Sequence, residues 1–293
     1  MCFYDDDKRR TVTLNRNWLR TALAFTSMLV AALGVLPARS GEPTVEDVIF
    51  RAEIDDHEER YVQILPADFD PTQPHDLLLA LHGHGSDRWQ FVKQSRDECR
   101  AARDAAEKYR LIFVSPDYRA KTSWMGPTAE ADVVQIINET KRRFKIRHVV
   151  VSGGSMGGTG SLTFAALHPE LIDGVVAMNG TANLWEYENF QDAIRVSFGG
   201  DKLTAPAEYK RRSAEYAVER LKMPIACTTG GRDLSVPPDS VIRLMTELQK
   251  LDRPARLIHR PLGGHSTNYA DAMEAYEFVL GRLAETSKRP TSR

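Results

Sequence analysis

From residue 75 to the end of the chain, short unbroken apolar runs alternate with longer stretches whose apolar residues recur at helical spacing. Leu77-Leu78-Leu79-Ala80-Leu81 is one such run, ends near Gly83, and reads as a buried strand. Residues 95–109 have the length and composition of a helix, and Leu111 to Val114 is the next strand, stopped by Pro116. A helix over 127–143 starts with Pro127, which suits a helix N-terminus, and carries Val133, Ile136 and Ile137 at helical spacing. His148-Val149-Val150-Val151 is continuous and β-branched, as in a central strand. A helix rich in small residues follows over 156–168, then strands over Ile172 to Met178, Met223 to Thr229 and Ala255 to His259. Helices over 237–250 and 269–285 complete the pattern. Strands that are apolar throughout are covered on both faces, and their alternation with helices implies crossover connections. The expected fold class is therefore α/β, with a mostly parallel central sheet and helices on both faces. Residues 48–54 and 59–65 alternate polar and apolar positions instead, which predicts an antiparallel hairpin at one sheet edge.

Two intervals depart from this rhythm. About 45 residues separate Met178 from Met223, where connections of roughly 2–6 residues are the norm. This insertion, about 179–222, holds Trp185, Tyr187, Phe190 and Phe198, then a helix-like stretch at 205–221. An insertion after a strand's carboxyl end lies where α/β sheets bind ligands, so Trp185 and Tyr187 are expected in the substrate pocket. The alternative is that these aromatics only bury the insertion itself. The second interval is residues 21–37, an apolar run preceded by five basic residues and followed by Ala38-Arg39-Ser40. That is the layout of a cleaved signal peptide over 1–40, diluted by Asp5-Asp6-Asp7, with Gly41 as the mature start. The expectation is a single catalytic domain over 41–293, secreted or periplasmic, with no stable membrane insertion after cleavage. The alternative is an anchor kept through residues 21–37, a run short for a span of about 20 residues.

Composition narrows the class without choosing a function. Hydrophobic residues are 42% and charged residues 27%, an ordinary globular balance, and the formal net charge is −1. No basic excess argues for nucleic acid as a partner. The leader holds more basic than acidic residues, so its loss leaves a mildly acidic chain. Cys99 lies in a helix-like run and Cys227 in a strand-like one, which favours two separately buried thiols over a disulfide.

The chemistry concentrates at Gly153-Gly154-Ser155-Met156-Gly157, a G-x-S-x-G string between an expected strand and an expected helix. A sharp strand-to-helix turn would expose the Ser155 hydroxyl, and glycines let the turn close. The helix N-terminus offers free N–H groups to an oxyanion. A serine hydroxyl needs a base, and three histidines follow it: His168, His259 and His265. His168 ends the helix that starts at the serine, and His259 lies inside a strand. His265, in the loop after the last strand, sits at the same sheet edge as Ser155 and is the expected base. The acid should lie in the loop after the preceding strand, where Asp233 stands, with Asp239 as the alternative. The oxyanion donors are expected to be the backbone N–H groups of Met156 and His84, the latter from the His82-Gly83-His84-Gly85 loop. His82 and His84 could also be read as half of a metal site, but no third ligand is near in sequence, and no metal or other cofactor is expected.

Together these residues resemble the α/β-hydrolase superfamily, and the later part resembles the catalytic domain of the prolyl oligopeptidase family. The resemblance rests on the Gly-Gly-Ser-Met-Gly-Gly elbow, residues 209–216, Met223-Pro224, residues 230–238 and Gly263-Gly264-His265-Ser266. It implies an α/β-hydrolase fold with Ser155, Asp233 and His265 as a catalytic triad. The expected mature chain has no room for the β-propeller found in many members of that family, and no Glu-rich motif for a free N-terminus stands out. Residues 120–140 look like the segment before the elbow in small secreted acetylxylan, feruloyl or polyhydroxyalkanoate-type esterases. That similarity favours a serine esterase acting on small-molecule or polymer esters. A small serine peptidase is the alternative, and a non-catalytic hydrolase-fold binding protein is a third reading.

Overall fold

A computed structural model describes residues 41–288, and the proposed leader with its apolar run at 21–37 lies outside the described residues. Eight strands form one sheet among them: β1 (Thr44–Arg51), β2 (Glu58–Leu65), β3 (His75–Leu81), β4 (Ile112–Pro116), β5 (Ile146–Gly154), β6 (Gly174–Met178), β7 (Ile225–Gly230) and β8 (Ala255–Arg260). Their order across the sheet is β1-β2-β4-β3-β5-β6-β7-β8. β1 and β2 form the antiparallel hairpin at the edge, and β2 joins β4 antiparallel. From β4 to β8 every pair is parallel.

The helices are α1 (Gln90–Lys93), α2 (Asp97–Tyr109), α3 (Pro127–Arg143), α4 (Met156–Leu167), α5 (Gln191–Phe198), α6 (Pro206–Arg211), α7 (Asp239–Lys250) and α8 (Tyr269–Lys288). Side chains alternate across a strand, so each strand feeds two cores. Leu77, Leu79 and Leu81 of β3 pack on the side of α3, α4 and α7, whereas Leu78 and Ala80 pack toward α1, α2 and α8. All five are fully buried, and each leucine contributes on the order of 1.5–3 kcal/mol of burial. Cys99 on α2 and Cys227 on β7 fall into opposite cores as free thiols, and burial pushes both up to about 12.

The interval between β6 and β7 differs from its expected outline. A helix, α5, forms over Gln191–Phe198, and the stretch at 205–221 breaks into α6 and a 3₁₀ helix at Ala214–Arg220. The break is made by bonds to the loop after β6. The Ser213 hydroxyl donates to the Tyr209 carbonyl at 2.7 Å and accepts from the Leu184 N–H at 2.9 Å. The Glu215 N–H then pairs with the Ala182 carbonyl, so the chain turns to bond the loop after β6 rather than continuing as helix. No helix among the described residues is long and apolar enough to cross a membrane.

Candidate active site

β5 ends at Gly154 and α4 begins at Met156, so Ser155 alone makes the turn between them. Its φ of 58° and ψ of −118° lie outside the regions ordinary residues favour, at a cost of about 1–3 kcal/mol. The surroundings enforce that conformation. The Ser155 N–H donates to the Met178 carbonyl at 2.8 Å, and its carbonyl accepts from the Thr159 N–H at 2.9 Å. A Cβ at position 157 would stand 2.0 Å from the Leu81 carbonyl oxygen, so only glycine lets α4 approach β3 this closely.

β7 and β8 end at the same edge of the sheet, and their loops bring the other two predicted residues to the serine. His265 Nε2 lies 2.9 Å from Ser155 Oγ, and its Nδ1 lies 2.6 Å from Asp233 Oδ2. Asp233 is 3% exposed, and its other oxygen accepts the N–H groups of Ser235 and Val236 at 2.9 Å each. A carboxylate can only accept, so the His265 proton sits on Nδ1 and the Nε2 lone pair faces the serine. The alternative acid, Asp239, opens α7 and has no bond to His265. His259 bonds Thr229, and His168 bonds Glu130 at the far end of α4.

The loop after β3 forms the opposite wall. The N–H of Gly83 goes to the Gln90 side chain, that of Gly85 to the Lys121 carbonyl, and that of Ser86 to the Gly83 carbonyl. The intervening His84 N–H has no such acceptor, and Met156, opening α4, has no carbonyl one turn back. The rings of His82 and His84 diverge in their partners. His82 is fully buried against the carbonyls of Gly83 and Asp117, while His84 Nδ1 accepts from the Trp124 indole at 3.1 Å. Partial burial holds the His84 imidazole below its ordinary pKa, which suits a neutral acceptor.

The aromatic residues of the insertion do not all reach this cleft. Trp185, expected to line it, is away from the cleft walls. Its ring lies under the Lys210 ammonium at 4.7 Å, and its backbone N–H donates to the Ser213 hydroxyl at 3.3 Å. Tyr187 sits one layer behind the wall, its ring 5.6 Å from Trp124 and its hydroxyl donating to the Ser235 carbonyl at 2.7 Å. Burial, then the Asp233 charge, pushes its phenol well up, so it remains a donor there. Phe190 is the insertion aromatic on the cleft, 40% exposed and 4.6 Å from the His84 ring. Its backbone is left-handed, which turns the chain after Asn189 and swings the ring over His84. The cleft occupies about 460 Å³ and also takes in Glu98, Arg96 and Asn179. Glu98 and Asn179 carry no local motif; only the topology brings them to the cleft that holds Ser155.

These features define a serine hydrolase of α/β-hydrolase fold. The chain belongs to the prolyl oligopeptidase family, whose family model matches residues 128–286, more than half of the sequence. No curated protein sequence gives a significant match. Among solved structures, an acylaminoacyl peptidase of Pyrococcus horikoshii is similar at a TM-score of 0.61 and 15% identity, over 85% of this chain and 43% of that one. This chain thus spans less than half of that peptidase's length. An S-formylglutathione hydrolase of Staphylococcus aureus is similar at a TM-score of 0.62 and 16% identity, over 82% of this chain and 98% of that one. A ferulic acid esterase is similar at a TM-score of 0.65 and 15% identity, over 83% and 99% respectively.

Proposed function

We propose that this serine hydrolase cleaves carboxylic esters through an acyl-enzyme on Ser155. The observation that carries the reading is the unbroken hydrogen-bonded line from Asp233 through His265 to Ser155, at 2.6 and 2.9 Å. His265 Nε2 takes the Ser155 proton as Oγ bonds to the acyl carbon, and the carbonyl electron pair moves to oxygen. The N–H groups of Met156 and His84 hold that oxyanion. The tetrahedral species collapses, the alcohol leaves with the proton from His265, and water enters by the same steps to release the acid. Asp233 keeps the imidazole in the required tautomer and stabilises its protonated form. The hydrolase and the esterase that match this chain over nearly their whole lengths favour an ester over a peptide. Family membership and the acylaminoacyl peptidase favour the second reading, a small serine peptidase.

One assay set tests both. The full chain is expected to turn over p-nitrophenyl acetate faster than peptide anilides, and Ser155→Ala is expected to remove turnover by several orders of magnitude. Anilides cleaved faster than esters would favour the peptidase, and full activity in the Ser155 variant would overturn the mechanism. We read residues 1–40 as an export leader, so that residues 41–293 act outside the cytoplasm as one domain. Exported protein is expected to start at Gly41 by intact mass, whereas mass retaining 21–37 would support an anchor.

A further inference from the structure

The half of the cleft facing α2 contains polar groups that the proposed chemistry leaves idle. Glu98 is 6% exposed and lies against the nucleophile turn, its Cγ 3.8 Å from where a Gly154 Cβ would be. Its one ionic partner among the described residues is Arg96, at 2.8 Å, whose side chain is 52% exposed. A buried carboxylate is unfavourable unless its remaining lone pairs are met. Across the cleft, Asn179 is also 6% exposed, and its amide nitrogen has no hydrogen-bond partner. The amide oxygen accepts from the Thr267 hydroxyl, which is itself bonded to Thr228 at 2.6 Å. Glu98 is thus an acceptor with spare capacity on the cleft wall, and the Asn179 amide nitrogen is unpartnered just beneath the wall.

We infer that this half of the cleft is a subsite for a polyhydroxylated alcohol moiety such as a sugar ring, an inference that rests on the ester-hydrolase reading above. The charges of Glu98 and Arg96 oppose each other, so a bare anion meets the carboxylate and a bare cation meets the guanidinium. A hydroxyl both donates and accepts, and adjacent hydroxyls match the paired oxygens of a carboxylate and the paired N–H groups of a guanidinium. An extended peptide is usually held by a strand's backbone edge. Here the polar wall is made of side chains, from the loop before α2, its first turn and the end of β6. The cleft, at about 460 Å³, falls within the range of small-molecule sites, roughly 300–1,000 Å³.

The test compares two acetates of similar ring size on the full chain: a monoacetylated methyl xyloside and cyclohexyl acetate. The sugar ester is expected to have a kcat/KM at least about tenfold higher, the size of one or two hydrogen bonds to charged groups. Glu98→Gln and, separately, Arg96→Met are expected to cut the sugar-to-cyclohexyl ratio about tenfold, chiefly through KM. Arg96 is half exposed and its substitution should fold even if Glu98→Gln does not. A wild-type ratio near one, a ratio unchanged in both variants, or a preference for amino acid esters over the sugar ester would overturn the subsite. Labelling of Ser155 by an alkyl fluorophosphonate separates the two levels. A labelled enzyme with a ratio near one removes the subsite alone, whereas an unlabelled Ser155 removes the ester-hydrolase reading beneath it.

Discussion

Asp233→Asn isolates the role of the imidazole tautomer. Oδ1 of Asp233 accepts two backbone N–H groups, from Ser235 and Val236, at 2.9 Å each. Both are fixed donors, so an asparagine must offer them its carbonyl oxygen and turn its NH₂ toward His265. Nδ1 of His265, 2.6 Å from the replaced oxygen, then faces a donor and becomes the acceptor. The ring proton moves to Nε2, 2.9 Å from Ser155 Oγ, and the imidazole can no longer take the serine proton. Loss of the right tautomer and of imidazolium stabilisation should lower kcat/KM about 10⁴-fold, or about 5 kcal/mol at 1.36 kcal/mol per tenfold. The substitution is isosteric and keeps both backbone bonds, so Tm should shift by less than about 4 °C. The measurements are kcat/KM on p-nitrophenyl acetate and calorimetry of the full chain. Retention of more than about a tenth of wild-type kcat/KM would refute the tautomer argument. Asp239→Asn, on the first turn of α7, should change kcat/KM by less than about twofold.

Phe190→Ala should reorder rates among acetyl, butyryl and feruloyl esters, whereas Trp185→Ala should lower stability by about 1–3 kcal/mol with the ester ranking unchanged. A kcat/KM panel beside melting curves checks both, and an altered ranking in the Trp185 variant would return that ring to the pocket. Arg212→Ala removes a fully buried guanidinium paired with Glu130 at 2.7 Å and Glu208 at 3.0 Å, and should destabilise by about 3 kcal/mol; a loss below about 1 kcal/mol by denaturant unfolding would refute this. Burial pushes the Asp132 carboxyl up to about 6, against the opposing pull of Arg119. Its folded pKa exceeds its unfolded value, so its contribution is full below about pH 4 and is lost as pH rises through about 6. Asp132→Asn should therefore raise Tm relative to wild type at pH 8 more than at pH 4, and equal shifts at both pH values would contradict the assignment.

The strands were legible because fully buried parallel strands must be apolar throughout, as in Leu77 to Leu81 and Val149 to Val151. The sharp turn at Ser155 was legible because it requires glycines at fixed positions, and position 157 tolerates nothing larger. Asp233 and His265 followed from chain order, since each stands in a loop after a strand of the same parallel sheet. Side-chain direction was not legible. Trp185 and Phe190 stand five residues apart in one loop, yet one meets Lys210 and the other meets His84. Phe190 has a left-handed backbone at the N-terminus of α5, which its residue type does not announce. Glu98 stands on the first turn of α2, and nothing local in the sequence announces that Gly154 lies beside it. The helix-like run at 205–221 was misleading for a similar reason, since the bonds that break it come from residues 182 and 184.

Ser155 and His265 stand 110 positions apart, with the base in the loop after the last strand. A ribosome adding about 5–20 residues per second makes Ser155 roughly 5–20 s before His265, its proposed base. Through that interval the growing chain can form the strained elbow and the amides around it, but the serine has no group to accept its proton. The acid is made before the base as well, so His265 is the component whose arrival completes the line. β8 must also add to the exposed edge of β7 before that loop has a platform. On the proposed mechanism, hydrolytic competence therefore waits for β8 and the His265 loop that follows it, and a nascent chain short of that loop carries an unarmed serine.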